Sequence, residues 1–156
     1  MIKLAIASFL ATLGFAIMFN IRGEKVFYAS LCGSVGAIVY HLTLNVWHYN
    51  LFLTMLYTSM AMSLYSEIMA RKLKAPVTLF LICGLICFVP GGTMYYTMME
   101  ILNNNTAGAT ALFMQVMSSS GALAIGIVVV STVVKLYYRI KRLGGVKKWL
   151  KLKEYL

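Results

Sequence analysis

Apolar positions along this chain gather into long runs separated by short polar turns. The runs cover about 2–20, 26–46, 51–70, 77–102 and 107–138. A helix needs roughly 20 predominantly apolar residues to cross about 30 Å of hydrocarbon. The pattern therefore predicts an all-α, polytopic integral membrane bundle of five transmembrane helices over residues 1–138. Small residues recur at four-residue spacing inside the runs: Ala7 and Ala11; Ala29, Gly33 and Ala37; Ser118, Ala122 and Gly126. Such stripes let helix backbones approach closely in lipid.

The turns have distinct chemistry. Ile21-Arg22-Gly23-Glu24-Lys25 is charged, whereas Trp47-His48-Tyr49-Asn50 is aromatic and carries no Lys or Arg. Arg71-Lys72-Leu73-Lys74 closes the third run, with Glu67 placed one turn earlier to pair with Arg71. Pro76 opens the fourth run, where a missing donor costs little. Asn103-Asn104-Asn105-Thr106 leads into a last run longer than one crossing requires. That run is either a long tilted helix or one whose first turns lie outside the hydrocarbon. Lys3 and the first run have the outline of a signal peptide. No small-x-small cleavage site follows them, so the run is read as an uncleaved span. Residues 139–156 read as a basic amphipathic tail. Gly144-Gly145 interrupts it, and basic residues then alternate with Trp149, Leu150, Leu152 and Tyr155, as in a short helix lying on a membrane surface.

The fourth run contains the one strong irregularity, Phe88-Val89-Pro90-Gly91-Gly92-Thr93-Met94-Tyr95-Tyr96. Proline removes a backbone donor and clashes with the preceding turn, and two glycines weaken the helix further. Neither half of the run crosses alone, since residues 77–89 rise only about 20 Å as helix. In hydrocarbon the freed backbone groups survive only beside protein or a wet cavity. Transporters build substrate and ion sites on broken helices of this kind near the bilayer midplane. A plain kink that helps helices pack is the competing reading.

Composition agrees with a membrane location. The chain of 156 residues is 61% hydrophobic and 12% charged, against about a quarter charged in soluble domains, and its mean hydropathy is +0.82. Its net charge is +10, from 14 Lys and Arg against 4 acidic residues, all of them Glu. The cations sit at the ends of apolar runs and in the tail, where eight of them lie between Lys135 and Leu156. That distribution argues against nucleic acid as the partner and makes anionic lipid headgroups the counter-charge. With five spans, the Arg22/Lys25 turn, the Arg71/Lys72/Lys74 turn and the tail share one side. The positive-inside rule then puts the C-terminus in the cytoplasm and the N-terminus outside a plasma membrane.

Catalytic motifs are missing: there is no phosphate-binding glycine loop with lysine, no His-Glu zinc motif and no nucleophile elbow. The chain reads as a non-enzyme without cofactor. Cys83 and Cys87 lie one turn apart but lack the partners of a metal site, and with Cys32 they read as small packing residues. The candidate substrate path comprises Pro90, Gly91, Gly92, Thr93 and Tyr95. Exposed amides and carbonyls at the break would suit the carboxylate and ammonium of a small zwitterion. Ser118, Ser119 and Ser120 are a second candidate, with interhelical hydrogen bonding as their alternative role. His41 is a proton-relay candidate or a packing histidine. Glu100 is a coupling carboxylate or one that snorkels to the interface.

In its order of elements the chain resembles the second membrane module of the threonine/serine exporter family, whose stand-alone form is the small subunit of a two-component exporter. The resemblance rests on the five runs with a basic turn after the third, on Phe88-Val89-Pro90-Gly91-Gly92 with Tyr95 following, and on Gly121-Ala122-Leu123-Ala124-Ile125-Gly126-Ile127. Gly92 stands where relatives often carry a serine or another small polar residue. The resemblance implies secondary export of small amino acids such as threonine and serine, with dicarboxylate export in some two-component relatives. It also implies a partner, a second five-span module. An odd number of spans lets two such modules sit in opposite orientations. A homo-oligomer and a non-transporting scaffold are the other arrangements the sequence allows.

Overall fold

The computed structural model of the chain describes residues 1–154, with side chains described through Lys141. Among the described residues every regular element is helical. In chain order these are α1 (Ile2–Met18), α2 (Glu24–His41) running on into a π-helical turn (Leu42–Val46), α3 (Leu51–Lys72), α4 (Val77–Leu85) tightening into a 3₁₀ turn (Ile86–Phe88), α5 (Gly91–Leu102) and α6 (Thr106–Glu154).

The element boundaries follow the apolar runs, while the predicted count of five crossings is met only in part. Among the described residues two helices are both long and apolar enough to cross a membrane, Glu24–Val46 and Thr106–Lys141. The pair Val77–Phe88 and Gly91–Leu102, bent by 43° at the break, makes a third if it acts as one span. α1 has 17 residues and falls short on length. α3 has 22 but is too polar.

The polarity of α3 has a physical cause: its hydroxyls face inward. Thr54, Thr58, Ser59, Ser63, Ser66 and Glu67 are all buried, while Phe52, Tyr57, Leu64 and Ile68 point outward. Most of these groups are satisfied locally, as their burial demands. Thr58 Oγ1 donates to the Thr54 carbonyl at 2.7 Å and Ser59 Oγ to the Leu56 carbonyl at 2.9 Å. Ser66 meets Cys32 Sγ at 3.4 Å and Ser63 meets Ser131 at 3.5 Å. A helix whose polar side chains are turned toward its neighbours loses average hydropathy while its outer face stays apolar.

Small residues set the closest approaches. A Cβ on Gly33 would collide with Thr12 Oγ1 of α1, and one on Gly126 would collide with Ser59 Oγ and come within 2.8 Å of the Leu56 carbonyl oxygen. These two glycines let α2 lie on α1 and α6 lie on α3, the most extensive helix pairings in the bundle. Around them sit small apolar clusters, including Ala16, Ala29 and Phe80 at one level and Met55, Ala122 and Leu123 at another. α5 packs chiefly on α6 and exposes Met94, Tyr96, Met98 and Ile101.

At the far end of α3, Arg71 Nη2 donates to Glu67 Oε2 at 2.9 Å, the pairing expected from their spacing. The Arg71 guanidinium also lies 3.6 Å over the centre of the Tyr138 ring. Glu67 is only 3% exposed. Arg71→Ala therefore leaves a buried carboxylate without its partner, and a loss of about 3 kcal/mol is expected. Adding Glu67→Gln should recover most of it, as read by thermal unfolding in detergent. Equal stability of the single variant and the unmodified chain would contradict this account of the pair.

α6 is one continuous helix from Thr106, and a continuous helix of this length accommodates either reading of the last run. Asn105 caps its start, with Oδ1 accepting from the Gly108 N–H at 3.2 Å. The interruption expected at Gly144-Gly145 is not observed: the backbone stays helical to Glu154. Glycine in a helix costs about 1 kcal/mol, which weakens a helix without forbidding it. The amphipathic pattern expected for 146–156 concerns side chains outside the described residues.

Candidate functional site

The break in the fourth run is built by local chemistry. Proline forces the residue before it out of the helical region, and Val89 is accordingly extended (φ −61°, ψ 132°). Pro90 itself adopts φ −74°, ψ 52°, and the Gly91 N–H donates back to the Val89 carbonyl at 2.7 Å. This is an inverse γ-turn. α5 then begins with the Met94 N–H bonded to the Pro90 carbonyl at 3.0 Å, and no side chain caps it. The N–H groups of Gly92 and Thr93 are left without an acceptor among the described residues. They form the partially positive end of a helix dipole, suited to an anionic group.

That helix end borders a cavity of about 360 Å³, within the roughly 300–1,000 Å³ range of small-molecule sites. Cys87, Phe88, Val89 and Pro90 form one wall. Every other long element adds to it: Ser8 from α1, Tyr40 from α2, Met55 from α3, Thr93 from α5, and Gln115 with Ser119 from α6. Ser119 Oγ donates to the carbonyls of Gln115 (2.8 Å) and Val116 (3.1 Å). Its proton is thus committed while its lone pairs stay free to accept from a ligand. The side-chain polar groups of Tyr40, Thr93 and Gln115 bond to none of the described residues. Among the described residues no charged side chain lines the cavity.

The cavity lies in the half of the bundle nearer the Trp47–Asn50 and Asn103–Asn105 turns. Met55 is four residues into α3 and Ser119 is 13 residues into α6, or about 6 Å and 20 Å along their axes.

Pro90, Thr93 and Ser119 are thus brought together by the structure. The remaining sequence candidates are not among the residues that line the cavity. Gly91 and Gly92 are exposed, with open space where a Cβ would stand; their contribution to the break is backbone. Tyr95 is 60% exposed and meets Tyr96 edge-to-face. Ser118 is exposed and Ser120 half-buried, neither lining the cavity. Successive helical residues point about 100° apart, so a serine triplet cannot place three hydroxyls in one site. His41 follows Tyr40 but does not line the cavity, and its Nδ1 is buried without a partner among the described residues. Glu100 accepts from Asn105 Nδ2 at 2.7 Å in the turn before α6, away from the cavity.

Ser8, Tyr40 and Gln115 escaped the sequence reading. Gln115 had a signal: it is the one amide in the 107–134 run, and it stands four residues before Ser119. A polar side chain at membrane depth is expensive and usually functional. Ser8 and Tyr40 had none, since serine and tyrosine occur throughout these helices.

The family model described as Threonine/Serine exporter, ThrE, matches residues 4–133. The match takes in every residue that lines the cavity. Among curated proteins and among solved structures nothing matches.

Proposed function

The chain belongs to the threonine/serine exporter family of membrane transporters, and from that premise we propose that it is one five-span subunit of a secondary exporter of threonine and serine. The observation that carries this reading is the convergence of the Pro90 break, the uncapped start of α5 and the unbonded polar groups of Tyr40, Thr93 and Gln115 on one uncharged cavity. The substrate carboxylate would sit at the Gly92 and Thr93 N–H groups. Its ammonium would meet the oxygens of Ser119, Gln115 and Tyr40. A zwitterion needs both ends of this arrangement and no fixed charge.

The second reading, dicarboxylate export, finds less support on this chain. A second carboxylate calls for Arg or Lys, and neither lines the cavity. A partner module fits the geometry because Gln115 lines the cavity and yet is exposed on this chain alone. A second five-span module would cover that side and enclose the path.

In the proposed topology the N-terminus lies outside the plasma membrane and the C-terminus in the cytoplasm, so the cavity occupies the external half. Reporter fusions at Asn50 and Asn104 should both read as external, and a cytoplasmic signal from either would break the five-span arrangement. For transport, proteoliposomes carrying this chain with its partner should show gradient-dependent counterflow of labelled threonine and serine. Neither chain alone should do so. Counterflow of succinate but not threonine would establish the second reading, and no flux in any combination would favour a scaffold.

A further inference from the structure

A second concavity, at the opposite end of α3 from the cavity, gathers charge instead of hydroxyls. Arg71 at the end of α3 faces Lys135, Tyr138, Arg139 and Lys141 of α6 across a shallow basin of about 700 Å³. Lys135, Tyr138 and Arg139 share one face of α6, at i, i+3 and i+4. Arg71 is fixed in place from two sides, by its bond to Glu67 and by the Tyr138 ring beneath it. Glu67 is the one carboxylate paired there. Lys135, Arg139 and Lys141 meet none among the described residues. Four cations against one acid leave like charges crowded around an open basin, an arrangement that an added anion relieves.

The geometry points to the kind of anion. A guanidinium held over an aromatic ring keeps its remaining N–H groups in the planar fork that matches phosphate oxygens, and flanking ammonium groups add charge. The same helix turns Val133, Leu136 and Ile140 outward beside the basin, each more than half exposed. A ligand that fills both surfaces carries a phosphate at one end and hydrocarbon at the other. We propose that Arg71, Lys135, Arg139 and Lys141 bind the phosphate of an anionic phospholipid whose acyl chains lie along α6. Basic basins between helices at the cytoplasmic side of a membrane suit such headgroups. The site requires membrane embedding and is independent of what the chain transports, so its failure and that of the transport reading are separable.

The test is lipid retention by the full chain in detergent, followed by native mass spectrometry and thermal unfolding. Phosphatidylglycerol should be retained and should raise the melting temperature, while phosphatidylcholine of the same chain length should do neither. Lys135→Gln with Arg139→Gln leaves the Glu67–Arg71 pair intact and should weaken phosphatidylglycerol binding about 30-fold, at about 1 kcal/mol per cation. Arg22→Gln with Lys25→Gln removes the same charge elsewhere and should leave binding unchanged. Equal retention of the two lipids, undiminished binding in the first pair, or equal weakening in both pairs would overturn the site. Inorganic phosphate that protects as well as phosphatidylglycerol does would overturn the lipid assignment.

Discussion

Gly126→Leu is expected to abolish accumulation of the folded protein. The contact between α3 and α6 depends on this position having no side chain. A Cβ there already collides with Ser59 Oγ and reaches within 2.8 Å of the Leu56 carbonyl oxygen. Neither atom can step aside freely, because Ser59 Oγ donates to that same carbonyl at 2.9 Å. The helices would have to separate, opening the Ser63–Ser131 contact and the packing around Ala122 on the same interface. Even Gly126→Ala should cost about 1–3 kcal/mol, the usual range for overpacking. Gly121→Ala is the matched control on the same helix. Its Cβ meets nothing within 4 Å, so it should be neutral or stabilising by about 0.5–1 kcal/mol through helix propensity. Thermal unfolding of the two alanine variants side by side decides the matter. A Gly126→Ala protein as stable as Gly121→Ala would remove the basis for this helix contact.

That pair of glycines also shows what the chain reveals before folding and what it conceals. Both lie in a run of small residues, and four-residue spacing correctly singled out Gly126 together with Ala122, which is fully buried. Spacing works because it reports a helix face, a local property. It cannot say how near the facing backbone lies, and at Gly126 that backbone is so near that a Cβ has no room. The break is legible for the same local reason: proline and glycine dictate backbone geometry wherever they occur. The cavity is less so. Pro90, Thr93 and Ser119 could be nominated from one helix at a time, but Ser8 and Tyr40 reach the site only because α1 and α2 pack where they do. α3 marks the opposite limit. Its inward-facing hydroxyls lower its hydropathy, so a measure that averages around the helix undervalues an element whose outer face is apolar.

Pro90→Ala combined with Gly91→Ala and Gly92→Ala should separate stability from transport, and the expected effect on transport is large. In the native chain the γ-turn uses the Gly91 N–H, and the Gly92 and Thr93 N–H groups stay unbonded beside the cavity. Without the proline ring, α4 and α5 can join into one helix. The Gly92 and Thr93 N–H groups then find carbonyls one turn back, each new bond contributing about 1 kcal/mol, while the Gly91 N–H exchanges one carbonyl for another. Two glycines in the helix interior oppose this by about 1 kcal/mol each, so the single variant tips the balance only slightly. Adding Gly91→Ala and Gly92→Ala removes the opposition, and on the native bent backbone both new methyl groups stand in open space. The triple variant should therefore insert normally and melt at a temperature no lower than the unmodified chain. It should lose at least tenfold in threonine counterflow, because its carboxylate-binding amides are now bonded to themselves. Such a gain in order with a loss of activity is the signature of a site that depends on a defect. A triple variant that transports at the native rate would show that the break only bends the helix, and the substrate would have to bind elsewhere in the assembly.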